Sequence, residues 1–91
     1  MIQVTRVIVT VRDPIRQTEL DLEMPAFVPI GRLRGELLEA LHTLRPQQWL
    51  SVSAIELLDG ERVLADGETL ASLGLWDGSI LTVRPAKEGT P

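Results

Sequence analysis

The stretch from Asp66 to Pro85, DGETLASLGLWDGSILTVRP, changes character partway along. Up to Gly78 it holds too many turn-forming residues for a long regular element. From Ser79 onward it alternates: Leu81 and Val83 fall on one side of an extended chain, Thr82 and Arg84 on the other, which is the pattern of a strand with one apolar face. Two glycines four residues apart, Gly74 and Gly78, stand just before that strand. Nothing in these residues has the make-up of an active site, so what the glycines do is decided by the rest of the chain.

Upstream, LSVSAIELL (50–58) reads as a strand, and Asp59-Gly60 is a strong hairpin signal leading into a further strand at ERVL (61–64). Before it, Ile30, Leu33, Leu37, Leu41 and Leu44 recur at intervals of three and four, joined by Leu38, with Arg32, Glu36, Glu39 and Thr43 on the opposite face. That period is helical. Pro29 suits the first turn of the helix, where its missing N–H has no intrahelical partner, and Pro46 ends it before the connector RPQQW. Gly31 and Gly35 cost such a helix up to about 1 kcal/mol each relative to alanine, so its stability must come from docking the leucine stripe. At the N-terminus Val7, Val9 and Val11 share one face opposite Ile8, Thr10 and Arg12. Asp13-Pro14 starts a turn, and ELDLEM then places Leu20, Leu22 and Met24 inward.

The order is therefore β-β-α-β-β-β. Its economical packing is an α+β β-grasp, a mixed sheet of four to five strands wrapped on one amphipathic helix. Ninety-one residues suffice for one domain, expected over 1–85, with the polar AKEGTP (86–91) as a flexible tail. Apolar residues at 44% and charged residues at 24% fit a folded soluble chain. The net charge of −4, with eight scattered arginines and one lysine, argues against nucleic acid or an anionic membrane as partner. The absence of cysteine fits a reducing compartment. No apolar run reaches the roughly 20 residues needed to span a bilayer, and the alternating N-terminus lacks a signal-peptide block. A cytoplasmic location is expected.

TLASLGLWDGSI (69–80) resembles, without gaps, the ubiquitin segment that forms a short turn of helix and leads into the final strand. The resemblance to the ubiquitin-like superfamily spans about residues 3 to 85. It implies left-handed backbone at Gly74 and Gly78, which glycine adopts without the roughly 1–2 kcal/mol penalty of a Cβ. Gly60, Gly74 and Gly78 are thus structural glycines. Upstream, a strand followed by Pro25-x-x-Val28-Pro29 and a leucine-rich helix is similar to the ubiquitin-like components of bacterial WXG100 (type VII) secretion systems. These include the free-standing YukD/EsaB-like proteins and the N-terminal cytosolic domains of EccD-like membrane proteins.

Ubiquitin and the sulfur carriers work through a C-terminal Gly-Gly, whereas this sequence closes on RPAKEGTP. Glu61 and Asp77 stand where the resemblance would place two chain-forming lysines, and the only lysine is Lys87. The expectation is a non-conjugated module, with a carrier activated at its C-terminus as the disfavoured alternative. A second alternative is the excised cytosolic domain of a multi-spanning secretion membrane protein; in either case the chain would act in the cytoplasm or at the inner face of the membrane.

A catalytic constellation is not found. His42 is alone, without a cysteine or an HExxH spacing. Glu36 and Glu39 lie on the polar helix face as solvated charge. Gly31-x-x-x-Gly35 lacks the ending of a phosphate loop, but it would let another element approach the helix closely. No catalytic, cofactor-binding or metal-ligating residue is assigned, and no small-molecule substrate is implied. What remains is protein binding, with the resemblance implying a secretion-system component as partner. The outward residues Ile8, Thr10, Glu56, Thr82 and Arg84, with Leu58, form a mixed sheet face. Trp76, in the turn beside Asp77, is the natural aromatic anchor. The interaction candidates are thus Ile8, Thr10, Leu58, Trp76 and Arg84. Trp49 is expected to close the core after the helix, and Phe27 to pack where the helix begins.

Overall fold

The computed structural model describes residues 5–86. Strands β1 (Arg6–Asp13) and β2 (Thr18–Pro25) form a hairpin, helix α1 (Ile30–Leu44) crosses the sheet, and a short helical turn α2 (Pro46–Trp49) follows. Strands β3 (Ile55–Asp59), β4 (Arg62–Val63) and β5 (Ile80–Pro85) complete one five-stranded sheet in the order β2-β1-β5-β3-β4. The central pair β1–β5 is parallel and the other pairs are antiparallel. This is the α+β β-grasp.

Alternation and helical period meet in the core. Val7, Val9 and Val11 of β1, Leu57 of β3 and Leu81 and Val83 of β5 are buried against Ile30, Leu33, Leu37 and Leu41 of α1. The hairpin turn is held by Asp13, whose Oδ1 accepts the N–H of Ile15 at 3.0 Å, while Oδ2 pairs with Arg16 at 3.1 Å.

Two boundaries differ from the sequence reading. The connector is not irregular: Arg45 leaves helical backbone, Pro46 starts a new turn, and α2 swings Trp49 fully into the core. There its indole Nε1 donates to Thr18 Oγ1 at 3.0 Å, and Arg16 stacks 5.2 Å from the ring centroid. The third strand therefore begins at Ile55, not at Leu50. The tail expected from Ala86 lies, beyond that residue, outside the described residues.

Gly74 has φ +71 and Gly78 φ +89, both in the left-handed region. The Gly78 turn lets its N–H donate to the Ile8 carbonyl at 2.9 Å, which seats β5 beside β1. Gly31 serves close approach: its N–H donates to the Asp66 carbonyl at 3.1 Å, and a Cβ there would lie 3.2 Å from that of Asp66. The element that Gly31 admits is thus a loop of the same chain. Across that loop Glu68 Oε1 accepts the Ala65 N–H at 2.8 Å, and Oε2 pairs with Arg62 at 2.5 Å. The Ala65 amide, and after it Arg62, outweigh desolvation and hold the Glu68 carboxyl below its ordinary value.

Urea melts should show Gly74→Ala and Gly78→Ala each losing about 1–2 kcal/mol. Gly35→Ala, within α1 and with open space where its Cβ would stand, should instead gain about 0.5–1 kcal/mol. Because the folded pKa of Glu68 is depressed, its stabilising contribution is complete above the unfolded value of 4.5 and is lost as pH falls through the lower folded value. Glu68→Gln should therefore flatten the pH dependence of the melting temperature below about 4.5, and an unaltered profile would contradict this.

Candidate protein-interaction surface

The face of the sheet opposite α1 is organised in rows that follow from strand register. Glu19, Arg12, Thr82, Leu58 and Val63 form one row across all five strands; Asp21, Thr10 and Ile80 form the next, and Glu23 lies opposite Ile8. The charges in these rows are largely matched within the face. Arg12 pairs with Glu19 at 2.8 Å, Arg6 with Glu23 at 2.6 Å and Arg84 with Glu56 at 2.9 Å, while the Thr10 hydroxyl donates to Asp21 at 2.7 Å. Exposed pairs of this kind contribute little stability; their consequence here is that the arginines are engaged at home.

Between the pairs lie two half-exposed isoleucines, Ile8 and Ile80, on adjacent strands. At their end of the sheet the β5 turn is fixed. Asp77 Oδ1 accepts the Ile8 N–H at 2.7 Å, the Trp76 N–H donates to Ser79 Oγ at 3.0 Å, and the Ser79 N–H donates to the Trp76 carbonyl at 3.0 Å. The turn carries the Trp76 side chain 57% exposed. Large rigid area at low entropy cost is what a binding anchor supplies.

The structure thus gathers Ile8, Thr10 and the Trp76 turn at one end of the outer face and leaves Arg84 about 13 Å further along β5. Leu58 needs correction. It faces outward as its parity requires, but between its row neighbours Thr82 and Val63 it is only 5% exposed, so it offers no surface. Phe27 also departs from expectation, being 58% exposed instead of packing where α1 begins, because Ala26 takes the buried place through bonds to Thr5 and Ala71. Ile80 was missed, although the alternation that turns Leu81 and Val83 inward already turns it outward. His42 is half-buried, and its Nε2 lies 2.8 Å from the Val52 carbonyl, tying α1 to the connector. Among the described residues no group of three or more His, Cys, Asp or Glu is arranged to hold a metal ion, and no helix is long and apolar enough to cross a membrane.

A parallel central strand pair, one crossing helix and left-handed glycines before the last strand define a ubiquitin-like protein. The fold superposes on Caldiarchaeum subterraneum ubiquitin with a TM-score of 0.64 at 24% identity, covering 93% of this chain and 99% of that one. The family model for protein YukD of the WXG100 protein secretion system (Wss) matches residues 6–83, and the chain belongs to that family. It is similar to the ubiquitin-like domain of the type VII secretion system protein ECCD1 of Mycobacterium tuberculosis, with a TM-score of 0.68, 23% identity and coverage of 86% and 96%. A chain of the MycP5-free ESX-5 inner membrane complex gives a TM-score of 0.76 at 19% identity; the match covers 96% of this chain but only 22% of that one. No curated protein matches the sequence.

The two tryptophans should separate cleanly. Trp76→Ala is expected to stay within about 0.5 kcal/mol of the parent, as surface substitutions do, while Trp49→Ala should cost about 3–5 kcal/mol. Acrylamide quenching of Trp49→Phe and Trp76→Phe variants gives a direct check, since only the variant that retains Trp76 should be strongly quenched.

Proposed function

We propose that this chain is a protein-interaction module of type VII secretion that docks non-covalently, through the end of the outer sheet face around Ile8, Ile80 and Trp76, on another component of that machinery. The observation that carries this reading is the pairing of charge on that face: with the arginines already engaged, what remains for a partner is apolar area and an exposed indole on a hydrogen-bonded turn. Such an arrangement binds by burial around an anchor and requires no cofactor, small-molecule substrate or catalytic group. The arginines of the face have carboxylate partners that account for them, which supports a non-enzymatic role.

Membership in the YukD family and the likeness to part of an ESX-5 inner membrane complex chain support a partner within the secretion apparatus, reached at the inner face of the membrane. The 22% coverage of the ESX-5 chain also favours a second reading, in which this fold serves as the cytosolic domain of a longer membrane component. The docking surface is the same in both.

Affinity capture of the tagged protein from its own cells, with membranes solubilised, compares the parent with an Ile8→Asp/Trp76→Ala double variant under native and denaturing conditions. Type VII components should be retained natively, released on denaturation and reduced at least tenfold by the double variant, whose melting temperature should shift by only a few degrees. Unchanged capture by the variant, or adducts that survive denaturation, would overturn the reading.

A further inference from the structure

Independently of that surface, we propose that the free edge of β2 accepts an extended basic segment of a partner protein, added as a sixth strand whose apolar side chains turn into the groove between β2 and α1. Hydrogen-bond parity decides which backbone groups of β2 face outward. Register pairs Arg6 with Pro25 and Val7 with Met24, and just beyond it the Ala26 N–H donates to the Thr5 carbonyl at 2.7 Å. Bonded pairs alternate along an antiparallel ladder, so the even-numbered residues of β2 bond to β1. Agreeing with this, the even-numbered residues of β1 bond in the other direction: the Ile8 carbonyl accepts from Gly78 and the Thr10 N–H donates to Ser79, each at 2.9 Å. The backbone groups of Glu19, Asp21 and Glu23 therefore point out of the sheet. Among the described residues no strand pairs there. Only a long contact of 3.5 Å from Arg6 Nη2 reaches the Glu23 carbonyl, and Pro25, lacking an N–H, ends the usable edge.

The same three residues carry the charge that selects the occupant. Their side chains lie on the outer face, and each uses one oxygen within the domain: Glu19 Oε1 for Arg12, Glu23 Oε1 for Arg6 and Asp21 Oδ1 for the Thr10 hydroxyl. Among the described residues the second oxygen of each has no partner, and Asp21 pairs with no cation. A strand laid along the edge places its own side chains directly opposite these carboxylates at every second residue. Lysine or arginine at those positions satisfies them. A second copy of β2 would instead set carboxylate against carboxylate in every row, and a one-residue slip would reverse its faces.

The alternate residues of the added strand fall on the inner face, beside the half-buried Leu20 and Leu22. There the groove between strand and helix, lined by the apolar Leu22, Met24, Leu33, Leu37 and Ala40 together with the charged Arg6, Glu23 and Glu36, holds about 130 Å³. At ~30 Å³ per water that is room for about four waters, or for one branched apolar side chain. The occupant is thus a segment alternating basic and apolar residues, bound by β-augmentation.

The test titrates the 15N-labelled chain with the synthetic peptide acetyl-Lys-Val-Lys-Ile-Lys-Val-Lys-amide and with its counterpart bearing Glu in place of Lys. The basic peptide should shift the amides of Glu19, Asp21 and Glu23 and the methyls of Leu22 and Leu37. It should bind at least tenfold tighter than the acidic peptide and weaken with added salt. Asp21→Pro removes an outward N–H that β1 does not use, a change tolerated on edge strands, and should abolish binding. Should that variant fail to fold, Asp21→Lys carries the test with an expected loss of tenfold or more. Absence of β2 shifts at millimolar peptide, or equal binding of the acidic peptide, would overturn the proposal. So would dimerisation of the unliganded chain through β2, which would make a second copy the occupant.

Discussion

The structure depends on how the backbone of Ile8 is gripped. Its carbonyl accepts the N–H of Gly78 and its own N–H donates to the Asp77 carboxylate, so both of its backbone hydrogen-bonding groups are engaged by one turn nearly seventy residues away. That grip starts the parallel β1–β5 pairing, the most sequence-distant contact in the sheet and the one whose loop closure costs the most entropy. A Cβ at Gly78 would place the turn under strain, and loss of the Asp77 oxygen would leave the Ile8 amide without its partner. On the far side of β5 lie β3 and β4, and the leucine stripe of α1 covers the sheet that results.

The same grip shapes the candidate surface. Because the turn is fastened to β1, Trp76 leaves the fold at a fixed place next to the Ile8 end of the outer face, and Ile80 follows directly on the neighbouring strand. The rows of matched charge beyond them come from the hairpin, where ELDLEM lays three carboxylates beside Arg6, Thr10 and Arg12 of β1. One register therefore sets both the apolar end proposed for docking and the half-satisfied acidic edge on the outside of β2.

Much of this was legible in the sequence wherever a period was long and unbroken. The valines of β1, the alternation of β2 and the Leu33, Leu37, Leu41 stripe each bury the face that their spacing assigns. Reading failed where a short pattern admitted two outcomes. LSVSA alternates as a strand does, yet Pro46 begins a helical turn just before it, and the burial of Trp49 outweighs the extension of Leu50 to Ala54. The parity of Leu58 was right and its exposure wrong, since the burial of an outward residue in a central strand depends on which strands lie alongside. Phe27 was expected to pack where the helix begins, while the smaller Ala26 takes the buried position there. The acidic alternation of Glu19, Asp21 and Glu23 was plain, but that β2 ends the sheet is a matter of topology, which no local pattern contains.

The proposed docking brings the secretion machinery to the apolar end of the outer face. A cross-saturation measurement tests it most directly: the deuterated, methyl-labelled chain is mixed with the detergent-solubilised type VII membrane complex, and the complex is irradiated. The Ile8 and Ile80 methyls and the Trp76 indole should lose the most intensity, while the core methyls of Leu37 and Leu57 should lose little. Binding accompanied by losses centred elsewhere, with Ile8, Ile80 and Trp76 untouched, would contradict it.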